Sequence, residues 1–213
     1  MKPPEGKSNN RKWSLFHHER IIASNFGPVL KNCYSPRAPN KSLLTSLLGK
    51  YHLSGVHAVQ WGIQHKAPAI AKNEAYADRT VQPSGLWLST SGLVGGSPDG
   101  IVDGDTLIEV KYPYSACSTS LQTLCQTGKS FFLSFADGQY SLNMGSDMGL
   151  KYFHQVQGNL CLTGRKYCDF IVWTPAETVV FRVSTDSSWS ENIKKLEDFY
   201  KKHYLHVFLE GGV

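Results

Sequence analysis

The chain has 213 residues, 41% of them hydrophobic and 18% charged, which is apolar enough to bury one compact core and excludes intrinsic disorder. Lysine and arginine total 22 against 17 aspartates and glutamates, and the resulting formal charge of +5 permits a polyanionic partner without requiring one. No run approaches the roughly 20 apolar residues of a membrane span and the first residues lack the apolar core of a secretory signal, so an intracellular protein, cytoplasmic or nuclear, with no membrane contact is expected.

Residues 1–12 carry Lys2, Lys7, Arg11 and Lys12 with almost nothing apolar, which predicts a flexible basic leader before a single domain over 13–213. Whether the leader contacts a polyanion or aids solubility stays open. Leu43, Leu44, Leu47 and Leu48 share one helical face, so a short helix is predicted over 42–48 with Gly49 as its stop. A longer helix is predicted over 56–77, with Val59, Ile63 and Ile70 on one side and a break at Pro68. Strand signals follow at 85–88, 92–96 and 97–102. Asp103-Gly104 predicts a tight hairpin turn into Thr106–Lys111, where Thr106, Ile108 and Val110 share one face and Leu107, Glu109 and Lys111 the other.

Residues 115–147, rich in Ser, Thr and Gly, read as a loop. Helical spacing returns over 149–163 with Phe153, Val156 and Leu160 inward, Tyr152, Gln155 and Asn159 on an adjacent polar stripe, and Gly164 as cap. Residues 170–173 and 179–183 predict an antiparallel pair. A last helix follows a Ser188/Glu191 capping box and packs Ile193, Leu196, Phe199 and Tyr200. This order predicts a mixed α/β fold. The five cysteines form no C-x-x-C pair, so neither a disulfide scaffold nor a zinc ribbon is expected.

Asp99, Glu109 and Lys111 carry the chemistry. A carboxylate at one strand's mouth, and a second carboxylate two residues before a lysine on the same face of the next strand, converge in space. Two acidic oxygens on a rigid hairpin suit Mg²⁺ or Mn²⁺, with the Val110 carbonyl as a third ligand. Lys111 then stands to orient or deprotonate a water, or to stabilise charge on a phosphate. An E-x-K pair alone is usually a solvated strand face, so the surrounding string matters. Ser97-Pro98-Asp99-Gly100-Ile101-Val102, with Leu107-Ile108-Glu109-Val110-Lys111-Tyr112-Pro113, resembles the signature of the lambda-exonuclease-like (YqaJ-type) viral recombinase nucleases of the PD-(D/E)xK superfamily. Trp61–His65, Tyr152–Gln157 and Arg20–Gly27 resemble that family's further motifs, in the same order.

The resemblance implies a restriction-endonuclease-like core, a mixed central β-sheet flanked by helices. It implies a Mg²⁺-dependent (or Mn²⁺-dependent) deoxyribonuclease, expected as a 5′→3′ exonuclease on duplex DNA ends in recombination or replication. Asp99, Glu109 and the Val110 carbonyl would be metal ligands, Lys111 the catalytic lysine, and Gln155 its support from the helix. Ser24, Arg20 and His17 would meet phosphate, with Tyr152 and Gln157 nearby; Ser24 reads equally as a helix N-cap, and Gln157 equally as a packing residue. His17 stands where relatives often carry an arginine that grips a 5′-phosphate. Lys66 replaces an acidic residue of the family's metal site and is placed on the inner helix face, which leaves open a snorkelling side chain or a salt bridge to Asp99 or Glu109. A weakened or silent DNA-binding homologue and a structure-specific endonuclease are the alternatives. A single-strand annealing protein as partner and an oligomer are compatible with the resemblance, though no residue marks an interface.

Overall fold

The structure, a computed structural model, describes residues 19–49, 80–128 and 130–211. The helix predicted over 56–77, the motif at Trp61–His65, the basic leader, His17 and Lys66 lie outside the described residues. Nine strands are described: β1 (Ile21–Ile22), β2 (Trp87–Leu88), β3 (Val94–Gly96), β4 (Gly100–Ile101), β5 (Thr106–Lys111), β6 (Leu133–Ala136), β7 (Gln139–Leu142), β8 (Tyr167–Trp173) and β9 (Thr178–Ser184). The described helices are α1 (Phe26–Cys33), α2 (Lys41–Leu47), α3 (Leu121–Thr127), α4 (Asp147–Thr163), α5 (Glu191–Phe199) and α6 (Leu205–Leu209), the last two joined through a π-helical turn at Tyr200–Tyr204. No helix among the described residues is long and apolar enough to cross a membrane.

A four-stranded mixed sheet in the order β4-β5-β8-β9 forms the centre. β5 runs parallel to β8, with Glu109 opposite Phe170 and Lys111 opposite Val172, while β4 and β9 are antiparallel edges. The parallel step needs a crossover, and α4 supplies it. The sheet is covered on both sides, so β5 is buried along nearly its whole length. Leu107, Cys168, Phe170 and Val172 pack with Val156 and Leu160 of α4, while Ile108, Val110 and Ile171 fill the opposite face. The alternation expected for β5 is therefore observed. A second cluster holds Ile21, Phe26, Leu30, Leu196 and Tyr204 against Trp189, beside a small sheet ordered β1-β3-β2.

α4 starts where the Ser146 hydroxyl accepts from the Gly149 amide and stops at Gly164, whose φ of 69° closes the helix in the left-handed region. α2 opens on Asn40, whose side chain accepts from the Leu43 amide. α1 crosses α4 closely: a Cβ on Gly27 would lie 2.7 Å from the Lys151 Cα, and one on Gly158 would overlap the Phe26 ring.

Three expectations need correction. The stretch 115–147 holds α3 and the β6–β7 hairpin, whose turn at Asp137-Gly138 has φ of 52° and 77°, the positive pair a two-residue hairpin requires. Asp103-Gly104 makes no such tight turn. There the Asp103 carboxylate accepts from the amides of Asp105 and Thr106, 2.8 and 2.6 Å away, and closes a wider loop in an Asx turn. The last helical segment opens not on a Ser188/Glu191 box but on Asp186, which accepts from the Ser188 amide and hydroxyl at 2.9 and 2.7 Å.

Candidate active site

Glu109 projects from β5 toward α4 and is 3% exposed. Its Oε1 accepts from Lys111 Nζ at 2.8 Å and from Gln155 Nε2 at 2.6 Å. The Gln155 Oε1 in turn accepts from Lys111 Nζ at 3.0 Å, which closes a ring of three hydrogen bonds among the three side chains. Asn159, one turn further along α4, donates to Glu109 Oε2 at 3.2 Å. The Lys111 ammonium sits 4.3 Å from the centroid of the Tyr152 ring, a cation–π contact.

Asp99 enters from the end of β4. Its amide donates to the Ile108 carbonyl at 3.0 Å and its Oδ2 accepts from the Val110 amide at 2.8 Å, so its carboxylate lies against β5 beside Glu109. A strand residue's N–H and C=O face the same neighbour. The Val110 carbonyl therefore shares the side on which Asp99 lies. Two carboxylates, Asp99 and Glu109, and the carbonyl of Val110 beside Glu109 offer an all-oxygen donor set of the kind a hard divalent cation takes, so these residues fit such an ion.

The electrostatics agree with that convergence. Burial works against the Lys111 ammonium, but its electrostatic interactions, with Glu109 first, outweigh it and raise its pKa above the ordinary lysine value. Burial, then Asp99 and Glu109, also push the Tyr112 phenol far up. Both carboxylates thus act on the same few groups.

Other residues of the expected site lie elsewhere. Ser24 is exposed on the 3-10 turn Ala23–Asn25 that leads into α1, and no side chain caps that helix. Arg20 donates through Nε to the Gly92 carbonyl at 2.9 Å and pairs with Glu19 at 3.4 Å. Gln157 is buried and spends its amide on backbone, donating to the Ser184 carbonyl and accepting from the Asp186 amide, both at 2.8 Å. It ties α4 to the end of β9 and is not among the partners of Glu109. His154, which the sequence places beside Gln155, accepts from the Trp189 indole at 3.0 Å.

Sequence reasoning placed Asn159 on a polar stripe but gave it no role. It is fully buried, and its Oδ1 has no hydrogen-bond partner. The i, i+4 spacing from Gln155 was the available signal, since both side chains then face one strand.

A family model described as the YqaJ-like viral recombinase domain matches residues 12–166. No curated protein sequence matches the chain. Among solved structures, an alkaline exonuclease from Laribacter hongkongensis is 22% identical with a TM-score of 0.66, the match covering 91% of this chain and 92% of that one. The same exonuclease in complex with dAMP gives 21%, 0.63, and 89% of each chain. A phage-related exonuclease from Haemophilus somnus 129PT gives 14% identity and a TM-score of 0.62 over 93% of this chain and 99% of that one. At these identities the structures speak for the fold, a restriction-endonuclease-like α/β architecture, while the family model spans most of the sequence. The chain belongs to the YqaJ-like viral recombinase domain family.

Proposed function

We propose that this protein is a divalent-metal-dependent DNA exonuclease that hydrolyses phosphodiester bonds from duplex ends, working 5′→3′ with Mg²⁺ in recombination or replication. The observation that carries the reading is the closed Glu109–Lys111–Gln155 ring with Asp99 docked on the adjoining Val110 amide. Exonuclease structures of the same fold, one of them with dAMP, support DNA as the substrate.

Asp99, Glu109 and the Val110 carbonyl would hold the metal, which when bound supplies positive charge to the phosphate and acidifies a water. Glu109 is held at both oxygens, by Lys111 and Gln155 on one and Asn159 on the other, so its orientation is set before a ligand arrives. The Lys111 ammonium is held in the centre by Glu109 and Gln155, where it stands to stabilise charge developing at the phosphate or to orient the attacking water. Gln155 fixes that ammonium and Tyr152 backs it with a ring face. Ser24 and Arg20, with His17 outside the described residues, are proposed to meet the strand's phosphates.

The test is incubation of purified protein with linear duplex DNA labelled at either end, in Mg²⁺, Mn²⁺ or EDTA. Metal-dependent release of mononucleotides beginning at the 5′ end, abolished by Asp99→Ala and by Lys111→Ala, is the expected result. DNA binding without cleavage in either metal would overturn the proposal in favour of a silent homologue, and internal cuts would favour an endonuclease.

A further inference from the structure

The face of α4 that holds the catalytic centre does not end at Gln155. Asn159 and Gln155 reach Glu109, and Tyr152 underlies Lys111. One turn before Gln155 on the same stripe stands Lys151, about 6 Å further along the helix axis at 1.5 Å per residue. It lines a groove of about 610 Å³ between α1 and α4, together with Gly27, Pro28 and Met148. Lys151 is half-buried, and among the described residues it makes no hydrogen bond or ion pair.

That state is unusual for an ammonium, because burying a cation without a partner is costly. Burial and the nearby charge of Lys111 both pull its pKa below the ordinary lysine value. The carboxylate on the groove's rim is already committed, since Lys31 Nζ holds both oxygens of Asp147 at 2.8 Å. Lys111 has its own counter-charge in Glu109; among the described residues Lys151 has none. Two neighbouring ammonium groups, one compensated and one waiting, fit a ligand with repeated negative charges.

We propose that Lys151 binds a backbone phosphate of the DNA strand next to the one at the metal centre, so that the strand runs from the α1/α4 groove past Met148, which lines both that groove and the neighbouring one that holds Lys111 and Tyr152. This rests on the nuclease reading and deepens it by naming a substrate contact. The close Gly27–Lys151 helix crossing sets one wall of the α1/α4 groove.

The test is DNA binding by the full chain in EDTA, followed by fluorescence anisotropy across a salt series, for the unaltered protein, Lys151→Gln and Lys151→Arg. One lost phosphate contact should weaken binding about five- to eightfold at 0.1 M salt and lower the salt slope by about 0.7 to 0.9, and arginine should restore both. In the cleavage assay the same loss should fall mainly on KM. Thermal unfolding separates this from a structural role: removing an uncompensated cation should leave Tm unchanged or raise it. An unchanged salt slope in Lys151→Gln, or a weakening accompanied by a lower Tm that arginine does not rescue, would overturn the inference. Failure of the unaltered protein to cleave would instead count against the nuclease reading, and leaves the salt-slope comparison readable.

Discussion

Replacing Gln155 by leucine isolates the ring at the centre of the site. The substitution keeps side-chain volume but deletes two hydrogen bonds to charged partners, at 2.6 Å to Glu109 and 3.0 Å from Lys111. Each bond to a charged group contributes about 1.5–3 kcal/mol net. Lys111 and Glu109 still hold each other at 2.8 Å and Asn159 still serves Oε2, so neither charge is stranded and the lower end applies, about 3 kcal/mol in total. For a chain of this size that corresponds to a fall in Tm of roughly 6–12 °C. Melting in EDTA keeps metal binding out of the measurement. With metal present, a Lys111 held only by Glu109 should cost about tenfold in kcat, less than the roughly hundredfold or more that follows outright removal of such a donor. Gln155→Glu is the diagnostic companion. It keeps an acceptor for Lys111 but sets a second carboxylate against Glu109, so one of the pair must have its folded pKa raised. Stability held by such a group is present below its unfolded value and is lost as pH rises through the folded pKa. Gln155→Glu should therefore melt closer to the unaltered protein at pH 5 than at pH 8. A Gln155→Leu protein with unchanged Tm and unchanged rate would refute the reasoning.

Further outcomes follow from neighbouring contacts. Gly96→Ala should destabilise the protein by about 1–3 kcal/mol in chemical denaturation, because its Cβ would overlap the buried Asn159 side chain, and it should also slow cleavage by disturbing Glu109. Gln157→Leu should lower Tm by removing two buried bonds to backbone, while kcat and KM of the surviving folded protein stay within about twofold. His154 should titrate below the ordinary histidine value in NMR, since burial disfavours its charged form; its stabilising share is then full above the unfolded pKa and is lost as pH falls toward the folded one.

The residues most visible in the sequence were those whose roles depend on local spacing. Glu109 and Lys111 share a face because strand side chains alternate, and Gly164 ends α4 because only a left-handed residue closes that turn. What escaped was decided at a distance. Asn159 looks like a solvated polar residue until a carboxylate 50 positions earlier is folded against it. Gln157, from the same motif as Gln155, faces β9 because a two-residue step turns about 200° around a helix. The hairpin signal of Asp103-Gly104 misled, and that of Asp137-Gly138 went unread, for a similar reason. At Asp103 the side chain captures two amides and needs no positive φ, whereas Asp137-Gly138 forms the tight turn inside a Ser- and Gly-rich stretch whose apolar run, Phe131-Phe132-Leu133, signals the strand.

The central claim is that Asp99, Glu109 and the Val110 carbonyl meet at one cation. Anomalous scattering from crystals soaked in Mn²⁺ tests it directly. The account predicts a peak with oxygen atoms of all three residues at about 2.1 Å, lost in Asp99→Ala. A peak that leaves Glu109 bonded only to Lys111, Gln155 and Asn159, or no peak between β4 and β5, would contradict it.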